Sequence, residues 1–318
     1  MTDNADKTVA VLALNPAVDI SYEIPQLLEY QKVCSTNTSY YPGGNGINVA
    51  HALAELDVPV RCCSTLGGES GALLLRLLGD TLGDNHNWFR LQGETRLNTI
   101  IMQQNPPGQF EITSLGPRVP ADVLAEIISC FLDTAGDGIA VLSGLIPPGV
   151  PDSTYRELAV QIRAQGGKVV LDASGDVLEQ ALKAEPFLVR LSRYALEMIC
   201  KRRLDDIARV AEAARVLQRG GVEYLCVSLG SEGAILTDSD NSYHCSAPKV
   251  HKQSTVGSAD SLVAGLIAAF RNGGSPEDML RLGVMCGSST AAHPGTELFT
   301  REELDADLLN LQVSHLDI

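Results

Sequence analysis

Six short runs rich in β-branched and apolar residues recur along the chain and alternate with stretches of helical spacing. The runs are TVAVLAL (8–14), PVRCCSTL (59–66), GIAVLSG (138–144), KVVLDAS (168–174), FLVRL (187–191) and YLCVSLG (224–230). Helical spacing is read over 47–57, 69–82, 120–133, 151–165 and 205–219, and the last third, 258–292 and 300–312, reads mainly as helix. Strands that are apolar throughout have both faces buried, and strands alternating with helices build a mostly parallel sheet covered on both sides. Two regions break the pattern. Residues 18–42 and 95–114 read as strands with polar alternation (NTIIMQQ, QFEITSL) and no helix between, which predicts a small separate sheet. No repeat or long linker divides the 318 residues, so the expectation is one α/β domain, 1–318, with an appended lid formed from about 18–42 and 95–114. In open sheets of this kind ligands bind beyond the carboxyl ends of the strands. That places Asp19, Ser143, Asp172, Ser228 and the 254–260 loop along one edge.

Charge and cysteine usage exclude several classes. A formal net charge of −15 argues against nucleic-acid binding, which needs a basic stripe, but leaves room for a local pocket for a small phosphorylated ligand. Eight cysteines without a C-x-x-C pair predict reduced thiols rather than zinc or a disulfide framework. The start MTDNADKTVAVLALNP has no basic leader and no long apolar core, and no apolar run reaches the roughly 18 residues of a membrane span. The expectation is a cytoplasmic protein without a membrane partner.

STVGSADSLVAG (254–265) sets Asp260 among small residues just before an apolar helical run. Two readings stand: Asp260 caps the helix, or Gly257, Ser258 and Ala259 let an anion approach free backbone N–H groups while Asp260 handles a proton. YPGGNGINVAHALAEL (41–56) brings Gly43, Gly44 and Gly46 to a helix start with Asn48 in its first turn. That is either a ligand cradle or a tight turn, and it is neither a Walker loop nor a dinucleotide fingerprint. In LNPAVDISY (14–22) Asp19 could hold sugar hydroxyls or cap a turn. Arg96 in GETRLN suits a phosphate, or is simply solvated. VSLGSEGA (227–234) reads first as a hairpin.

Taken together, GGNGINVA, SGLIPPG, VSLGSEGA and STVGSADS occur in the order and spacing of the ribokinase-like, or PfkB, sugar kinases, and the resemblance covers essentially the whole chain. It is nearest the sugar-phosphate branch: tagatose-6-phosphate kinase, 1-phosphofructokinase and the minor 6-phosphofructokinase. The resemblance implies a three-layer ribokinase-like sandwich with a β lid, a homodimer through that lid, and phosphoryl transfer from ATP with Mg2+, a monovalent cation being a further cofactor. It assigns Asp260 as the base, with Gly257, Ser258 and Ala259 completing an anion hole for the γ-phosphate. It gives Asp19, Gly43, Gly44, Asn48 and Arg96 to the sugar phosphate. Arg190, Ser192, Ser228, Gly230 and Gly233 fall to ATP, and no protein side chain is assigned as a metal ligand.

Four places depart from the family pattern. Gly257-Ser258-Ala259-Asp260 stands for G-A-G-D, and RLSRYALEM (190–198) stands where the family writes K-P-N-x-x-E. Ser143-Gly144-Leu145 replaces S-G-S, and Asn45 stands where related kinases often have lysine. An alanine in the 257–260 loop would disfavour any positive-φ geometry there by roughly 1–2 kcal/mol. The departures keep two alternatives in view: a catalytically impaired relative that binds a sugar phosphate or nucleotide as a sensor, and a kinase for an unphosphorylated sugar or nucleoside.

Overall fold

The computed structural model describes residues 7–79, 81–82, 85–304 and 311–317. The strands in chain order are β1 (Val9–Ala13), β2 (Ala17–Ile24), β3 (Asn37–Gly43), β4 (Val60–Gly67), β5 (His86–Leu91), β6 (Arg96–Gln104) and β7 (Pro107–Ile112). Then follow β8 (Ile139–Ser143), β9 (Lys168–Asp172), β10 (Leu188–Ser192), β11 (Tyr224–Ser228), β12 (Ala234–Thr237), β13 (Ser242–Cys245) and β14 (Val313–His315). The helices are α1 (Asn45–Glu55), α2 (Gly68–Leu78), α3 (Ala121–Ala135), α4 (Thr154–Ala164), α5 (Gly175–Leu182), α6 (Arg193–Cys200), α7 (Ile207–Gln218), α8 (Ser258–Arg271), α9 (Pro276–Ala291) and α10 (Arg301–Leu304).

Ten strands form the large sheet in the order β14-β13-β12-β11-β10-β9-β8-β1-β4-β5, parallel from β5 to β11 and antiparallel beyond. Its apolar runs feed two cores. Along β1, Val9, Val11 and Ala13 pack with α1, α8 and α9, while Ala10 and Leu12 pack with α3 and α4 on the other face. This ribokinase-like three-layer arrangement agrees with the alternation of strands and helices. From β1 the strand order runs outward in both directions, so the crevice between β1 and β8 is the topological switch point, the place where such sheets bind ligands.

Four strands, in the order β3-β2-β6-β7, form the small sheet read from 18–42 and 95–114. Its register sorts the side chains. Asp19 lies opposite Tyr41 and Asn98, so all three share one face. Tyr40, Leu97, Phe110 and Ile112 fall on the other face and are exposed.

Several expectations need correction. Of the expected helix over 300–312, Arg301–Leu304 is helical, residues 305–310 lie outside those described, and 313–315 form an edge strand instead. Among the described residues β5, β13, β14, α5 and α6 were not anticipated. Asp19 sits inside β2, not at a turn. All eight cysteines are free, and among the described residues no helix is long and apolar enough to cross a membrane.

Candidate active site

Helix α8 begins at the switch point, and its start settles the two readings of Asp260. The N-cap is Gly257, in the left-handed region at φ 81, with no side-chain cap bond. A β-carbon there would stand 2.7 Å from Leu298 Cδ2, so both conformation and space call for glycine. Ser261 N–H makes the first intrahelical bond, to Gly257 O, leaving the N–H groups of Ala259 and Asp260 without an intrahelical acceptor. Ala259 is already inside the helix and is not a positive-φ residue, so the alanine introduces no strain. Asp260 is the third helical residue and turns away from its own helix. Its Oδ1 accepts from Asn45 Nδ2 at 3.0 Å and its Oδ2 from Asn48 Nδ2 at 2.8 Å. The cap reading is therefore excluded. The carboxylate is 2 % exposed. Burial, and then the negative charge of Asp172, raise its pKa to about 7 against the pull of the two asparagines and Arg190.

The residues at the carboxyl ends of β9, β10 and β11 are tied together by one guanidinium. Arg190 Nη1 meets Asp172 Oδ1 at 3.0 Å and Nη2 donates to Ser228 Oγ at 3.1 Å. Asp172 Oδ2, Arg190 Nε, Ser143 Oγ and Ser258 Oγ are buried without partners, polar atoms left over for a ligand. Ser192 caps α6, accepting from Ala195 N–H at 3.1 Å. It lines a crevice of about 140 Å³ with Asp172 and Arg190, not the larger cavity. Glu197 closes the end of its own helix by accepting from Leu204 N–H, so it does not stand in for the glutamate that Ala195 replaces.

The larger cavity, of about 590 Å³, is lined by Arg190, Ser228, Gly230, Gly233, Thr255, Ser258 and Ala259 at one end and by Ala247, Pro248, Val250, Leu262 and Val284 elsewhere. Lys249 and Lys252 also line it, and among the described residues no carboxylate does. Three cations and no anion, in a chain of net charge −15, suit a polyanion, and the apolar wall suits a planar ring. The hairpin reading of 227–234 holds. Gly230 and Gly233 turn it at φ 63 and 91, and a β-carbon on Gly233 would strike Cys245 O.

Asp19 forms a second cluster. Asn98 donates to its Oδ1 and Thr296 to its Oδ2, each at 2.8 Å, and burial raises its pKa. A β-carbon on Gly43 would lie 2.3 Å from Asp19 Cγ, which explains the glycine. Gly44, at φ 94, then turns the chain into α1, so 43–48 runs from the Asp19 carboxylate to the two donors of Asp260. Arg96 is buried beside this cluster, its Nε donating to Asn15 O and its Nη1 to Ser114 O. Spacing along the chain did not reveal Asn98, Thr296, Lys249 or Lys252, nor the bond from Asn45. Their partners are distant in sequence and no local pattern marks them.

The sequence matches the pfkB family carbohydrate kinase model over residues 12–303. It is 30% identical to the ATP-dependent 6-phosphofructokinase isozyme 2 of Escherichia coli, over 93% of this chain and 96% of that protein. It is 29% identical to a 1-phosphofructokinase of Borreliella burgdorferi, over 89% and 91%. Phosphofructokinase-2 from Escherichia coli, solved in complex with substrates and products, superposes with a TM-score of 0.89 at 29% identity, covering 95% of this chain and 98% of that one. The match spans nearly the whole chain, and the chain belongs to the pfkB family of carbohydrate kinases.

Proposed function

We propose that the protein phosphorylates a ketohexose phosphate from Mg-ATP, the acceptor being tagatose 6-phosphate, fructose 1-phosphate or fructose 6-phosphate. The observation that carries this is Asp260. It is a buried carboxylate with a pKa near neutrality, next to free helix N–H groups that open on a cation-lined cavity. A base poised near the working pH takes a proton most effectively.

ATP fits the large cavity, with its base against the apolar wall and its phosphates toward Lys249, Lys252 and Arg190. Gly230 and Gly233 let the backbone approach it. Among the described residues no group of three or more His, Cys, Asp or Glu could hold a metal. Magnesium would then arrive on the phosphates, with the free Oδ2 of Asp172 as the nearby carboxylate oxygen, and would neutralise charge on the transferring group. Asp19, in the small sheet, holds sugar hydroxyls. Arg96, whose Nη2 makes no hydrogen bond among the described residues, is the cation this reading gives to the substrate phosphate. Asp260 takes the proton of the acceptor hydroxyl as its oxygen bonds to the γ-phosphorus. The bond from that phosphorus to the bridging oxygen breaks, and ADP leaves. Helix N–H groups at 257–260 hold the charge that develops. A monovalent cation and a homodimer formed through the lid belong to the same reading. The exposed row Tyr40, Leu97, Phe110 and Ile112 on the outer face of the small sheet supports the pairing.

ADP release from Mg-ATP, measured across the three sugar phosphates and their unphosphorylated parents, tests this. Turnover with one sugar phosphate is expected. Turnover confined to an unphosphorylated sugar would move the substrate class, and binding without turnover would replace the kinase with a sensor.

A further inference from the structure

Both oxygens of Asp260 accept from side-chain amides, and the two donors differ. Asn48 is 5 % exposed and lies within the first turns of α1. Asn45 is the first residue of that helix, half-buried, directly after the Gly44 turn. It also lines the two small crevices beside the base, one with Asn15, Pro16 and Ser143 and the other with Asp172 and Arg190. Its Nδ2 thus covers Oδ1 from a side chain that borders both crevices. Asn45 Nδ2 faces Oδ1, the orientation that the ionised carboxylate, an acceptor only, requires. The 143–145 turn packs against the rest of the side chain, where a β-carbon on Gly144 would lie 3.2 Å from Asn45 Oδ1.

We propose that Asn45 is a place-holder for the acceptor hydroxyl on Asp260, covering the base until a sugar displaces it and thereby preventing phosphoryl transfer to water. The inference rests on Asp260 being the base. A sugar anchored through Asp19 has remote contacts whose binding energy drives the exchange. One of its hydroxyls takes Oδ1 while a neighbouring oxygen accepts from the freed Nδ2, so the hydrogen bonds are conserved. Water has no remote contacts and meets a covered base. If the cover is missing, water can donate to Oδ1. Its proton passes to Asp260, its oxygen bonds to the γ-phosphorus, the bridging bond breaks, and ADP and inorganic phosphate result. The charged groups facing Asp260 from neighbouring strands, Asp172 on β9 and Arg190 on β10, are untouched by a change at Asn45.

The test is ADP release from Mg-ATP without sugar, in wild type, Asn45→Ala and the double variant Asn45→Ala with Asp260→Asn. Asn45→Ser runs in parallel, because serine is well tolerated at a helix start should alanine disturb the fold. Sugar-free ADP release is expected to rise about tenfold in the single variants, the scale of one lost hydrogen bond, and to return to background in the double variant. The acid limb of kcat/KM for the sugar, which reports the free enzyme, is expected to move to higher pH, because a donor to the ionised base has gone. Unchanged sugar-free release with an unmoved limb overturns the proposal, as does a rise that survives Asp260→Asn. Wild-type turnover with sugar is measured in the same series. Its absence contradicts the kinase reading itself, whereas its presence with unresponsive Asn45 variants contradicts only the role of Asn45.

Discussion

Asp19 and Asp260 are each 2 % exposed, and each carboxylate accepts from two neutral side chains. Burial raises the pKa of both. They part company in their surroundings. Asp19 lies in a strand of the small sheet, clamped by its in-register neighbour Asn98 and by Thr296, with Arg96 favouring its charged form. Asp260 lies at a helix start, with Asp172 opposing its charge and Arg190 favouring it. Similar burial and similar hydrogen bonding are thus combined with different neighbouring charges, and the proposed roles divide the two carboxylates, Asp19 holding the acceptor and Asp260 taking its proton.

The comparison is sharpest in kinetics. Asp260→Asn is expected to lower kcat by about 10³-fold with KM for the acceptor nearly unchanged, since removing a general base removes transition-state help and little ground-state binding. Asp19→Asn should do the opposite, raising acceptor KM roughly 10- to 100-fold while kcat falls only a few-fold. Steady-state kinetics on the two variants with one acceptor separates these outcomes, and a shared pattern would erase the distinction. A smaller effect concerns stability. The folded pKa of Asp260 lies above its unfolded value near 4, so between about pH 4 and 7 the folded state binds the extra proton. Its contribution is fully present below pH 4 and is lost as pH rises through about 7. The Tm of Asp260→Asn relative to wild type should therefore climb by several degrees from pH 4 to pH 8, and thermal melts across that range would show it.

Much of this arrangement can be read along the chain. Runs such as VAVLA and IAVLS are buried on both faces, so they are apolar throughout and announce a parallel core. The polar alternation of 95–114 marks strands outside the buried parallel sheet, as the separate four-stranded sheet holding β6 and β7 confirms. The missed elements are those whose signal is short or mixed. Helices α5 and α6 have eight residues each, and β14 is a three-residue edge strand. At the site, Asp260 stood out because small residues frame it, and Asp19 because it follows the first strand closely. The partners of Asp19 did not, because Asn98 is 79 residues from it and Thr296 is 277. Such pairings exist only once the sheet has brought its strand ends together. The 257–260 loop shows the reverse case. Its alanine raised concern as a sequence and is harmless as a structure, because helical backbone accepts any β-carbon that has space.

Central to the account is that Asp260, and not Asp19, takes the proton from the acceptor. The most direct measurement is the pH dependence of kcat/KM for the preferred acceptor, in wild type and in Asp260→Asn. The account predicts a wild-type acid limb near pH 7 that is absent from the residual activity of the variant. A wild-type profile flat from pH 5 to 8, or a limb that persists unchanged in Asp260→Asn, would contradict it.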